Sequence, residues 1–347
     1  MLAKGSGFLG TGLKGTPLSP FSFTCRREPR LLHRRCLSKY ATNVLGGPLG
    51  SATHRMYFEQ RGDGAPLSPW HDIPLVASSN PTSSKEYHMV CEIPRWTNAK
   101  LEIDTKGAFN PIRQDVKNGK LRYVPNVFPY KGYIWNYGAL PQTYEDPDHV
   151  DADTGCVGDS DPVDVIEIGQ AVSARGSVHR VKVLGVLALI DDGETDWKVV
   201  ALRSDDPLAG KVHSVGDLES HMPGILQATV DWFTKYKVPD GKPLNRWAFG
   251  GSARDEEYAH SVIAATHDAW KKLVATERHT KFSLVNTTVE SSPHYLTPSD
   301  ASNAFKAMTD ITPGQMYTGH RLPQSSPNDA YDGGPDQRWH YVRTDHA

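Results

Sequence analysis

Residues 158–202, GDSDPVDVIEIGQAVSARGSVHRVKVLGVLALIDDGETDWKVVAL, carry the clearest indication of the fold. Apolar runs rich in β-branched residues alternate there with turns rich in Gly, Pro and Asp, and similar runs precede them. Because several short strands come before any long helix, the pattern favours a closed or partly closed antiparallel barrel over alternating β–α units. The predicted strands are 87–93, 121–124, 163–168, 181–190 and 197–202.

Two helices are predicted after these strands. Pro223 precedes a stretch, 225–236, whose apolar residues recur at helical spacing. The second helix opens with the capping pattern Ser252-Ala-Arg-Asp255, and its apolar residues recur over 259–273. The predicted class is therefore mainly β with flanking helices, an α+β arrangement.

Charge is divided unevenly along the 347 residues, whose net charge is −2. Residues 1–57 carry nine Lys or Arg and one acidic residue, a net charge of +8, whereas the remainder carries −10. The composition of residues 1–50 is typical of a transit peptide, which we expect to be disordered and to direct the chain to the mitochondrial matrix. A plastid address and a retained basic arm on a cytoplasmic protein are the alternatives.

The remaining chain divides into a predicted globular domain, 57–290, and a Ser/Pro-rich C-terminal extension, 291–347, expected to be extended or disordered. The longest apolar run, 183–190, has eight residues. Since a bilayer span needs about 20, we expect no membrane segment. We also expect no nucleic acid partner, because phosphate-backbone binding depends on Lys and Arg and the body is acidic.

The first acidic motif is the Gly158–Asp164 segment, where Asp159 and Asp161 lie two residues apart. In an extended segment these two side chains would face the same side. Pro162 would distort the following strand and let Asp164 converge on them. The donors are all oxygen atoms, which favours a hard ion such as Mg²⁺ or Mn²⁺ over zinc.

A second acidic motif, Asp191-Asp-Gly-Glu-Thr-Asp-Trp-Lys198, follows the strand predicted over 181–190. Its Asp196 stands at the start of an apolar strand, where a solvated turn should already have ended. If the strands predicted over 163–168 and 181–190 are neighbours, both motifs can open onto one end of the barrel. Five further acids lie in a Pro-rich segment and are predicted to be solvated surface charge: Glu145, Asp146, Asp148, Asp151 and Asp153.

Basic residues supply the counterpart to these acids. Lys100 stands in the segment 92–102, Arg122 in Lys120-Leu-Arg122, and Lys237 directly after Tyr236. Arg can hold phosphate through two hydrogen bonds, and Lys supplies a mobile point charge. A metal-binding carboxylate cluster beside such cations is what a di- or triphosphate substrate requires.

Together these segments resemble the eukaryotic type of family I soluble inorganic pyrophosphatase, in its mitochondrial form. The resemblance covers about residues 57–275, and its most specific part is the Asp-x-Asp-Pro-x-Asp core. Two positions depart from the family pattern: Ser160 replaces the usual Asn, and Asp192 replaces a common Glu. The segments that carry it are EIPRWTNAKLE (92–102), FPYKGYIWNYG (128–138), GDSDPVDV (158–165), DDGETDWK (191–198) and YKVPDGKP (236–243).

The resemblance implies a role for each matching position. Asp161 would orient and deprotonate a metal-bridged water, Tyr133 would donate a proton, and Tyr137 would be a neighbouring phenol. Glu92 would support the site. The first Mg²⁺ would be bound by Asp159, Asp164 and Asp196, and further Mg²⁺ ions by Asp191 and Glu102. The phosphoryl groups would be held by Lys100, Arg122, Lys198, Tyr236 and Lys237.

The implied fold is a five-stranded OB-like closed β-barrel, and the implied activity is Mg²⁺-dependent hydrolysis of pyrophosphate by a homodimer. Mn²⁺ could replace Mg²⁺. One alternative is a metal-dependent hydrolase of nucleotides or other phosphoanhydrides. Another is a non-catalytic OB module in which Tyr133, Trp135 and Tyr137 stack on nucleic acid bases; the acidic charge around these aromatic residues opposes it.

Overall fold

The computed structural model describes residues 38–77, 85–310 and 338–343. Within these ranges, none of the helices is long and apolar enough to cross a bilayer. The helices are α1 (Val215–His221), α2 (Ile225–Lys235), α3 (Glu256–Val274) and α4 (Pro298–Asp310). The strands are β1 (Tyr40–Leu45), β2 (Arg55–Gln60), β3 (Pro66–Leu67), β4 (Glu86–Ile93), β5 (Leu101–Ile103), β6 (Ile112–Gln114), β7 (Val116–Lys117), β8 (Lys120–Leu121), β9 (Asn126–Val127), β10 (Asn136–Ala139), β11 (Asp164–Glu167), β12 (Val178–Asp191), β13 (Glu194–Arg203), β14 (Arg246–Trp247) and β15 (Trp339–His340).

The largest sheet has the order β13-β11-β10-β4-β12-β14, and β12 also pairs with β13. Strands β11 and β13 run parallel, and the other neighbours are antiparallel. The β12–β13 hairpin turns at Asp192 and Gly193, whose φ angles are 50° and 95°. Positive φ at both positions is what a two-residue hairpin turn needs. The predicted class, mainly β with helices, is confirmed.

Most of the predicted strands and helices are observed, with different ends. The run predicted over 121–124 contributes only Leu121, in β8, and the short helix α1 was not predicted. Helix α3 begins at Glu256, where the Asp255 side chain caps the Tyr258 N–H. The predicted capping residue, Ser252, instead ends the turn Ala248–Gly251 and stands outside the helix.

A second sheet, β1-β2-β6-β5 with β3 on β2, corrects the predicted N-terminal boundary. Strand β1 pairs with β2 over six residues, and Tyr40 and Val44 pack against the core. Part of the segment predicted as disordered, 1–50, is therefore an ordered strand, because its backbone groups pair with those of the next strand, β2. Residues 1–37 of that segment lie outside the described residues.

The predicted C-terminal extension, 291–347, also contains ordered structure. Phe305 on α4 packs edge-to-face on Tyr57 and Phe109, with ring centroids 5.0 and 5.6 Å apart. Strand β15 pairs in parallel with β9. The expectation of an extended or disordered tail is thus wrong for these two elements, since each contacts the body; residues 311–337 and 344–347 lie outside the described residues.

Candidate active site

One cavity is lined by all the residues to which the sequence analysis gave a role. The central sheet supplies one wall, and β5 with the end of α2 supplies another. Their assembly here tests the predicted grouping only; their individual roles remain predictions. The residues are Glu92, Lys100, Glu102, Arg122, Tyr133, Tyr137, Asp159, Asp161, Asp164, Asp191, Asp196, Lys198, Tyr236 and Lys237.

Strand register explains how the carboxylates meet. Asp164 begins β11 and pairs directly with Lys198 of the parallel strand β13. Asp196 lies two residues before Lys198, so alternation along the strand turns both side chains to the same face. The two acidic motifs meet as the sequence analysis inferred, but by a different pairing: β11 pairs with β13 and not with β12, the strand predicted over 181–190.

Lys198 is the buried cation at the centre of this cluster. Its Nζ atom is 2.5 Å from carboxylate oxygens of both Asp164 and Asp196 and 2.9 Å from the Tyr137 hydroxyl, which itself donates to Asp164. Burial opposes the charged form of Lys198, but the two carboxylates outweigh burial and hold its pKa well above the usual value. The contact with Lys198 opposes but does not overcome the burial that raises the pKa of Asp196 to about 7.

Asp159 and Asp161 converge by a bend rather than by the extended geometry that the sequence predicted. Ser160 has a φ of 78°, and the Asp161 N–H donates to Asp159 Oδ1 at 2.9 Å. The bend ends before β11 begins at Asp164. Desolvation and then the Glu102 carboxylate raise the pKa of Asp161 to about 7.

Glu145 corrects the prediction of solvated charge for its segment. Its side chain is 3% exposed, and its Oε1 atom accepts the Trp197 N–H at 2.9 Å. Glu145, Asp159 and Asp196 each place one carboxylate oxygen within 4.8 Å of the others. Asp148 and Asp153 are exposed, as predicted. A charged residue in a polar, Pro-rich segment gave no local indication that distant strands would cover it.

The donors fit a hard divalent cation. They are all carboxylate oxygens, and Glu145 Oε2 is buried with no hydrogen-bond partner among the described residues. Burial, and then the charges of Asp159 and Asp196, raise the pKa of Glu145 well above its usual value. Mutual repulsion of this kind is relieved when a cation binds, and oxygen donors select Mg²⁺ or Mn²⁺.

Cations also line the cavity, and each pairs with an acid that lies in the cavity or next to it. Lys100 Nζ is 2.5 Å from Glu102 Oε2. Arg122 Nη1 is 3.1 Å from Asp115 Oδ2. Tyr236 donates to Asp191 at 3.1 Å, and Lys237 contacts the same carboxylate. An anion entering the cavity therefore meets several cationic and phenolic donors.

The comparisons with known proteins agree with this geometry. The family model of inorganic pyrophosphatase matches residues 89–271. An inorganic pyrophosphatase of Mus musculus is 53% identical over 267 residues, which are 77% of this chain and 89% of that protein. The chain belongs to the inorganic pyrophosphatase family. This membership confirms the predicted family and the predicted hydrolase class acting on pyrophosphate.

Two further pyrophosphatases bear on the fold and on the cell compartment. The structure of the enzyme from Schistosoma japonicum has a TM-score of 0.73 and 42% identity, and the match covers 87% of this chain and all of that one. A second Mus musculus protein, named inorganic pyrophosphatase 2, mitochondrial, is 48% identical over 288 residues, 79% of this chain and 87% of that one. This pyrophosphatase is thus similar to proteins with and without a mitochondrial name.

Burial of the aromatic residues argues against the nucleic-acid-binding alternative. Trp135 is fully buried, and its indole N–H donates to Thr229 Oγ1 at 2.9 Å. Tyr133 is 3% exposed and lies with its ring centroid 5.1 Å from that of Trp232. In this pyrophosphatase Trp135 is packed in the core, and Tyr133 and Tyr137 line the cavity with little exposed surface, whereas a stacking platform needs exposed faces.

Proposed function

We propose that this chain hydrolyses inorganic pyrophosphate to two phosphates with Mg²⁺, for which Mn²⁺ can substitute. The observation that carries the proposal is the single cavity in which an oxygen-only carboxylate cluster faces Lys, Arg and Tyr side chains. A small, highly charged phosphoanhydride needs this combination, because both its phosphoryl groups must be held while charge develops on the leaving phosphate.

Asp161 accepts the proton of the attacking water. It stands at the bend beside the carboxylate cluster, outside the ion pairs that bind Asp164 and Asp196 to Lys198. A carboxylate whose pKa is about 7 is matched to proton transfer near neutral pH. When bound, Mg²⁺ ions neutralise phosphate oxygens and lower the pKa of a coordinated water. They would be held by Asp159, Asp164 and Asp196, with Asp191 and Glu102 for further ions.

The phosphates are held by Lys100, Arg122, Tyr236 and Lys237, and by Lys198 from within the carboxylate cluster. Tyr133 donates a proton to the leaving phosphate, with Tyr137 beside it and their ring centroids 5.1 Å apart. Burial raises the pKa of Tyr133 to about 12, so its phenol stays protonated until it is used. Glu92 accepts the Ile103 N–H at 2.7 Å and so supports the strand that carries Glu102.

Phosphate release decides this proposal. We expect release from pyrophosphate with saturating Mg²⁺, loss of release in excess EDTA, and far slower release from ATP. Comparable turnover of ATP would favour the broader phosphoanhydride hydrolase considered above. Absence of Mg²⁺-dependent phosphate release from either substrate would contradict the function.

We further infer that five strands form an OB-like closed barrel. The support is that the pairings return to their origin in the order β13, β11, β10, β4, β12 and β13 again. A closed sheet has no unpaired edge within the ring. The cavity then lies at the end of the barrel where β11 and β13 begin.

The mitochondrial matrix is the proposed location, with a cytoplasmic or plastid location as the alternative. The basic N-terminal composition supports it, and so does the name of one similar protein. Because β1 belongs to the folded body, we place the end of the transit peptide before Tyr40. N-terminal sequencing of protein from purified mitochondria tests this boundary. We also propose a homodimer, for which light scattering gives the mass.

A further inference from the structure

The least explained buried group near the cavity is the Glu145 carboxylate. A buried carboxylate oxygen without a hydrogen bond is costly, and the cost rises beside other carboxylates. Oε2 of Glu145 has no such partner among the described residues, although Oε1 accepts the Trp197 N–H. A glutamine would accept the Trp197 backbone N–H equally well. This hydrogen bond therefore does not explain why the side chain has a second carboxylate oxygen at this position.

The backbone of Glu145 is attached to the first carboxylate loop. Its N–H donates to the Asp161 carbonyl, and its own carbonyl accepts the Ser160 N–H, both at 2.9 Å. Gly158 approaches so closely that an added Cβ atom would lie 2.4 Å from the Glu145 carbonyl carbon. The loop of Asp159 and Asp161 therefore rests directly on Glu145.

The side chain of Glu145 is attached to the second carboxylate motif. Trp197, whose N–H it accepts, directly follows Asp196 in β13. One residue thus joins the segments that carry Asp159 and Asp196. One oxygen of each of these three carboxylates lies within 4.8 Å of the others, and the joining side chain is 3% exposed.

We propose that Glu145 is a positioning residue of the metal centre: it joins the two carboxylate segments and turns its second oxygen toward the bound divalent cation. The inference rests on the proposed function, since it concerns the same cation. A cation supplies what the second oxygen lacks, and groups that orient metal ligands commonly contribute about 10- to 100-fold to metal affinity. Glu145 is not itself placed in contact with the substrate.

The test is calorimetric titration of Mg²⁺ into the substrate-free chain. In Glu145→Gln the Trp197 N–H keeps an acceptor, whereas an amide N–H₂ group replaces an oxygen near the cation. We expect the Mg²⁺ affinity to fall about 10-fold or more, with the metal-free melting temperature unchanged or higher. Glu145→Asp keeps the charge but shortens its reach, so the affinity should fall here as well; this variant carries the test if the first does not fold.

Glu167→Gln is the matched control. Glu167 is also fully buried on the central sheet, and its Oε1 atom accepts the Gly169 and Arg203 N–H groups at 2.8 and 3.1 Å. The Mg²⁺ affinity of the Glu167→Gln variant should stay within twofold of the affinity of the unaltered chain. Glu145 variants that also stay within twofold would overturn the proposal. An unaltered chain that binds Mg²⁺ but releases no phosphate would contradict the proposed function alone, because the affinity ratio would still be measurable.

Discussion

Neighbouring carboxylates in the cavity have different surroundings, and their chemistry follows from these. Asp164 and Asp196 share the buried cation Lys198, whereas Asp161 stands outside that ion pair, on the bend that begins at Asp159. Burial raises the pKa of Asp161 and of Asp196 alike to about 7, so geometry distinguishes them: protonation of Asp196 would break its contact with Lys198, whereas protonation of Asp161 breaks no such contact. The geometry thus separates a candidate base from candidate ligands.

Asp161→Asn tests whether Asp161 acts as the base, because it replaces one carboxylate oxygen with an NH₂ group. The amide is nearly isosteric but cannot accept a proton, so turnover of pyrophosphate should fall by about 10²- to 10⁴-fold. Mg²⁺ affinity and the melting temperature should change little. Steady-state phosphate release and calorimetry measure these quantities, and Asp148→Asn, an exposed acid 13 positions earlier in the chain, is the control that should retain activity. Activity of Asp161→Asn within a few-fold of the unaltered chain would remove Asp161 from this role.

Ser160 has a backbone conformation that its side chain does not favour. Its φ of 78° lies in the left-handed region, which Asn enters more readily than Ser. Ser160→Asn should therefore raise the free energy of unfolding by about 1 kcal/mol. Urea unfolding in EDTA measures the change, and Ser160→Ala, which relieves no strain, should show no gain. A Ser160→Asn chain no more stable than Ser160→Ala would contradict this explanation.

Helix α3 is joined to the rest of the body by a buried histidine. His71 Nδ1 accepts the Trp270 indole N–H at 2.9 Å, and His71 Nε2 lies 3.1 Å from the Ser283 carbonyl oxygen. A tryptophan can only donate and a carbonyl can only accept. His71 is therefore neutral, with its proton on Nε2, and a second proton would displace the Trp270 contact.

This contact predicts acid sensitivity. Burial lowers the pKa of His71 from 6.5 to about 3. Between pH 6.5 and about pH 3, His71 is protonated in the unfolded chain but not in the folded chain. Each pH unit of acidification in this range therefore lowers the free energy of unfolding by about 1.4 kcal/mol. Above pH 6.5 His71 adds no pH dependence.

Comparison with His71→Gln isolates this contribution. Between pH 7 and pH 4.5, the variant should lose about 2.5 kcal/mol less stability than the unaltered chain. Urea unfolding in EDTA at both pH values measures the difference, and the titration of the cavity carboxylates cancels because it is common to both chains. Equal losses would mean that His71 takes up its proton in the folded state.

The elements differ in how far the local sequence predicts them. Strands β12 and β13 are long apolar runs joined by Asp192-Gly193, whose turn chemistry is local, and they were predicted with short errors at their ends. Helix α3 was predicted from its apolar spacing, but its first residue was not. Two acceptors, Ser252 and Asp255, compete for the cap, and the preceding turn Ala248–Gly251 determines which of them is free.

On the scale of the whole molecule, truncation before or after β1 tests where the folded body begins. A chain that starts at Ser38 keeps β1 and its six residue pairs with β2, whereas one that starts at Ser51 loses them. We expect the first to melt as the full chain does. The second should lose about 3 kcal/mol or more of stability, because β2 loses its hydrogen-bonded neighbour.

Thermal unfolding of the three chains measures this difference. Equal melting temperatures for the chains that start at Ser38 and Ser51 would contradict a structural role for β1. The result also bears on the transit peptide, since a peptidase that removed β1 would destabilise the product it releases.

Residue spacing and composition were enough to predict the carboxylate motifs and the mainly β class, because metal-binding acids and strand periodicity depend on neighbours within a few positions. The family was predicted from the resemblance of five short segments to known members. The burial of Glu145, the pairing of β1 and the docking of α4 could not be predicted. The burial of Glu145 and the docking of α4 each depend on a contact with a distant part of the chain: Trp197 for Glu145, and Tyr57 for Phe305 of α4. Strand β1 pairs with the next strand, β2, but the basic, acid-poor composition of residues 1–50 concealed it. The local sequence of a polar or weakly periodic segment does not indicate which surface will cover it. Its burial is therefore determined by tertiary packing.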